Sequence, residues 1–85
     1  MEKHVGVIAI IVHDRKVGAP KVNDTLSQFG DIIIGRIGIP YHARNMYVVT
    51  VVVDGTTDQI GALSGKLGQI QDVTVKCTMA KCDCQ

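Results

Sequence analysis

The runs Val5-Gly6-Val7-Ile8-Ala9-Ile10-Ile11-Val12 and Met46-Tyr47-Val48-Val49-Thr50-Val51-Val52-Val53 are almost unbroken β-branched sequence. Each is followed by a loop and then a helix-patterned segment. Branched side chains are stiff about χ1 and pack well on a pleated surface, so both runs predict strands. Working outward from them, the chain reads strand, helix, strand, strand, helix, strand. The first and third strands are the most apolar, which places them at the centre of one antiparallel sheet in the order 4-1-3-2, with both helices on one face. Two helices cover only that face. The other is left to Val7, Ile11, Val49, Val51 and Val53, or to their alternates if the register is shifted by one. About five such side chains, each gaining roughly 1.5–3 kcal/mol on burial, give a gross driving force on the order of 10 kcal/mol before association entropy is subtracted. A homodimer or homotetramer is therefore expected.

The remaining elements follow from periodicity and punctuation. Gly18-Ala19-Pro20 opens the first helix, because proline is tolerated in a first turn. Val22, Leu26 and Phe29 make its buried stripe and Gly30 its stop. Residues 31–39 form the second strand, with Gly35 and Gly38 inside and Pro40 after it, which suits an edge with a bulge or a close backbone approach. Residues 41–45 are a polar connection. Thr56 stands before Gln59 at capping-box spacing, and Ile60, Leu63, Leu67 and Ile70 mark the stripe of the second helix. Gly61, Gly65 and Gly68 in the same helix predict close packing on a neighbour, since each costs about 1 kcal/mol against alanine. Residues 72–80 alternate as a half-buried edge strand, with Cys77 expected as a small buried hydrophobe on the helix side. The topology is α+β and ferredoxin-like, with one domain over residues 1–81 and a cysteine-bearing tail over 82–85.

Length and composition are consistent with this. A chain of 85 residues buries only roughly 60–65% of its unfolded surface, so help from an oligomer is plausible. Its formal charge of +1 leaves no nucleic-acid footprint. The first apolar run is too short for a membrane span, and the charged residues His13-Asp14-Arg15-Lys16 follow it directly, so the chain reads as cytoplasmic. Three cysteines without an export signal argue for reduced thiols.

Several motifs fail on spacing. Gly61-Ala62-Leu63-Ser64-Gly65-Lys66 has three residues between its glycines where a phosphate-binding loop needs four, and Leu67 stands where Ser or Thr belongs. No nucleophile elbow, paired carboxylates or adjacent Cys and His mark an enzyme. Only Tyr47 is aromatic in the two central strands, against the stacking platform of an RNA-recognition sheet. Cys82 and Cys84 are candidate ligands for a soft metal, although a structural zinc site wants four ligands. A metal-binding or metal-trafficking accessory role for these tail thiols is the alternative function. The residues point to no particular cofactor.

Gly35-Arg36-Ile37-Gly38-Ile39-Pro40-Tyr41, the strand from Met46 to Val53, the stretch from Asp58 to Gly68 and Val73-Thr74-Val75-Lys76 together resemble one family. It comprises small, free-standing ACT-like domains described as proposed regulators of the iron-only hydrogenase system. The resemblance runs from Val7 to Lys76, and its most specific part is Gly61-Ala62-Leu63-Ser64-Gly65-Lys66-Leu67-Gly68. It implies self-association and regulation by a bound small-molecule effector, with the ligand site at the first strand-to-helix loop and a subunit interface. On this chain that site is His13, Asp14, Arg15, Gly18 and the start of the first helix, whose free N–H groups suit an anion or a carboxylate. Arg36, Tyr41, His42 and Arg44 are expected to complete it from a neighbouring subunit. The same loop also reads as an ordinary solvated connection. The implied partners are a second copy of the chain, the effector, and another regulatory or hydrogenase-maturation protein. No direct contact with nucleic acid or membrane is implied.

Overall fold

The computed structural model describes residues 2–80. The elements are β1 (His4–Val12), α1 (Arg15–Gln28), β2 (Ile33–Tyr41), a 3-10 turn (His42–Arg44), β3 (Met46–Gly55), α2 (Thr57–Gly68) and β4 (Val73–Met79). The strands form one antiparallel sheet in the order β2-β3-β1-β4, the expected order read from the opposite edge. The two apolar runs are its centre.

The register of β1 on β3 decides what each face carries. Ile8 lies opposite Val51, Ile10 opposite Val49 and Val12 opposite Tyr47, while Val7 lies opposite Val52 and Ile11 opposite Val48. Even-numbered residues of β1 thus meet odd-numbered residues of β3. Ile8, Ile10, Val12, Val49, Val51 and Val53 are fully buried with Val22 and Leu26 of α1 and Ile60, Leu63 and Leu67 of α2. Val49, Val51 and Val53 therefore belong to the core, which corrects their assignment to the open face. Val7 and Ile11 do lie on that face, half-buried, with Val48, Thr50 and Val52. The error arose from giving both strands one parity, which this register forbids.

The helices differ in how they begin. α1 starts at Arg15, three residues earlier than expected, so Pro20 stands in its second turn and removes one intrahelical donor. The early start is held locally: the Gly18 N–H donates to the Asp14 carbonyl at 2.8 Å, and the Arg15 N–H donates to the Asn45 carbonyl at 3.0 Å. A Cβ at Gly18 would collide with the Val12 side chain, so this glycine permits helix and sheet to approach. α2 has the expected capping box. The Gln59 N–H donates to Thr56 Oγ1 at 3.1 Å, and the Thr56 N–H donates to Gln59 Oε1 at 2.9 Å.

Two expectations change, and one is sharpened. A Cβ at Gly61, Gly65 or Gly68 would meet nothing within 4 Å, so no packing within the described residues requires them. Cys77 lies opposite Ile8 and thus on the helix side, but it is exposed, because β4 is an edge strand left uncovered there. Within β2, the glycine that close approach demands is Gly38, where a Cβ would stand 2.6 Å from the Tyr47 hydroxyl oxygen. The irregularity falls between Ile33 and Gly35. Among the described residues no helix is long and apolar enough to cross a membrane.

Candidate functional site

One end of the sheet gathers three connections, because Val12 pairs with both Tyr47 and Val73. There β1 leaves into α1, the 3-10 turn enters β3, and α2 returns into β4. His13 ties the first of these to the last: its N–H donates to the Asp72 carbonyl at 2.9 Å, and its Nε2 lies 2.9 Å from Thr74 Oγ1. Asn45 ties the first to the second. Its Nδ2 donates to Asp14 Oδ1 at 3.3 Å, and its carbonyl accepts the Arg15 N–H. Both turns are made by non-glycine residues in the left-handed region, Asn45 at φ 53° and Asp72 at φ 62°. Asn and Asp tolerate that conformation better than other side chains do.

Between the connections lies a cavity of about 240 Å³, lined by Asp14, Val17, Gly18, Gln71 and Asp72. Of the sequence-derived candidates, the fold brings His13, Asp14, Arg15 and Gly18 to this end of the sheet, and Asp14 and Gly18 line the cavity. Arg15 does not line it. Its Nε is buried with no hydrogen-bond partner among the described residues. Arg36 stands apart: it lies opposite Val51 in mid-sheet, and its Nη2 donates to Asn23 Oδ1 of α1 at 2.6 Å. That places its contact eight residues along α1 from Arg15, about 12 Å at the helical rise. Tyr41, His42 and Arg44 are exposed at the end of β2 and on the 3-10 turn. They are linked to this region through Asn45, whose N–H donates to the His42 carbonyl at 3.2 Å.

Asn45, Gln71, Asp72 and Thr74 were not singled out from sequence. The available signal was faint: Asn before a strand, and Gln-Asp between a helix and a strand, both turn chemistry with no mark of a site. Cys82 and Cys84 lie outside the described residues. Among those described, no group of three or more His, Cys, Asp or Glu residues could hold a metal ion.

Sheet order and helix placement together give an ACT-like fold. The ACT domain of a GTP pyrophosphokinase from Chlorobium tepidum superposes with a TM-score of 0.76 at 19% identity, covering 89% of this chain and 99% of that one. The C-terminal domain of the MgtC protein from Mycobacterium tuberculosis does so with a TM-score of 0.71 at 14% identity, covering 93% and 89%. The family is shown by two further findings. Residues 4–77 match the family model "TM1266-like: Iron-only hydrogenase system regulator, putative". The uncharacterized protein TM1266 from Thermotoga maritima is 41% identical with a TM-score of 0.89, covering 94% of this chain and all of that one. This chain belongs to the TM1266-like family. Comparison with curated proteins gave no match.

Proposed function

We propose that this chain is a cytoplasmic regulatory module that binds a small-molecule effector at the loop end of its sheet and passes the bound state to a protein partner. The observation that carries the reading is the cavity between the β1–α1 and α2–β4 connections, at the end of a sheet whose second face carries no helix among the described residues. An effector seated there touches the first turn of α1 and the turn that His13 and Asp72 hold together. Ordering those connections changes what the sheet's end and open face present to a neighbour. Val7, Ile11, Val48 and Val52, continued by Ile37, Ile39 and Tyr41 of β2, make the surface through which copies associate into a homodimer or homotetramer. Arg36, Tyr41, His42 and Arg44 then act from a neighbouring subunit or contact the partner protein. The family description supports regulation in the iron-only hydrogenase system; another regulatory or maturation protein is the partner this reading assigns.

The test is a thermal-shift screen of amino acids, nucleotides and other metabolites. Ligand at one hundred times its dissociation constant stabilises by about 2.7 kcal/mol, readily seen in a domain this small. The expected outcome is a stabiliser whose effect weakens in Asp14→Asn and in Gln71→Ala, both at positions that line the cavity. A stabiliser with undiminished effect in both variants moves the site elsewhere.

A further inference from the structure

We draw no further inference here: the strongest candidate, the apolar open face of the sheet with the exposed β2 edge that continues it through Ile37 and Ile39, belongs to the assembly surface already described, and nothing in the structure shows what covers it.

Discussion

The two faces of the sheet are built from the same residues and have different fates. On one, Ile8, Ile10, Val12, Val49, Val51 and Val53 are fully buried beneath α1 and α2. On the other, Val7, Ile11, Val48 and Val52 are only half-buried, and Ile37 and Ile39 at the β2 end remain 65% and 55% exposed. Toward the β4 edge that second face becomes polar, with Thr74, Lys76 and Thr78 opposite Ile11, Ala9 and Val7. Hydrophobicity alone therefore does not say which aliphatics make the core. Helix cover makes the core, and the apolar residues it leaves out form a patch of the kind that marks an interaction surface.

Placing a charge on each face separates their roles. Val51→Asp puts an unpaired carboxylate among fully buried aliphatics, where an uncompensated charge costs on the order of 3–5 kcal/mol, against a total stability of about 5–15 kcal/mol for small domains. The variant should lose its cooperative melt by circular dichroism. A folded but dissociated Val51→Asp would mean that the faces have been exchanged. Leu63→Ala, on the helix side of the same core, should cost about 2–5 kcal/mol by denaturant titration, with the fold retained at the lower end of that range.

Ile37→Asp addresses the open face. Its effect on the stability of an isolated domain should stay within about 0.5 kcal/mol, as for most surface substitutions, while the sedimenting mass at micromolar concentration drops toward that of the monomer. A parent protein that already sediments as a single monomeric species would remove the assembly role of this face altogether.

Smaller effects come from the helices. Thr56→Ala removes the capping box of α2 and should lower stability by about 1 kcal/mol, or roughly 4–8 °C in melting temperature for a domain of this size. Gly65→Ala should act in the other direction, raising stability by up to about 1 kcal/mol, because an added Cβ meets nothing within 4 Å. If that gain comes with weaker assembly, the outer surface of α2 is a contact surface too.

Much of the fold was legible because its signals are local. Val22 and Leu26 in α1, and Ile60, Leu63 and Leu67 in α2, recur at helical spacing and are buried. The Thr56–Gln59 pair announces its helix start by spacing alone. The candidate site was legible only in part. Asp14 and Gly18 enter as candidates because the family resemblance points to the β1–α1 loop, which is continuous in sequence, whereas Gln71 and Asp72 come from a connection nearly sixty residues away. The charge of Arg36 is visible in the sequence, but its engagement with Asn23 is a consequence of how β2 lies against α1.

By itself, then, the sequence determined the order and type of elements, the centrality of β1 and β3, and the presence of a second apolar face, since β-branched runs, helical stripes and turn residues act within a few positions of one another. The tertiary structure alone decided which parity of each central strand goes inward. A strand apolar on both sides has no period of two to read, and the register that pairs Ile8 with Val51 is set by the loops and by the helices that must cover one face. It alone also decided that two aspartates distant in sequence line one cavity, because contacts of that range exist only once the sheet has brought its connections to a common end.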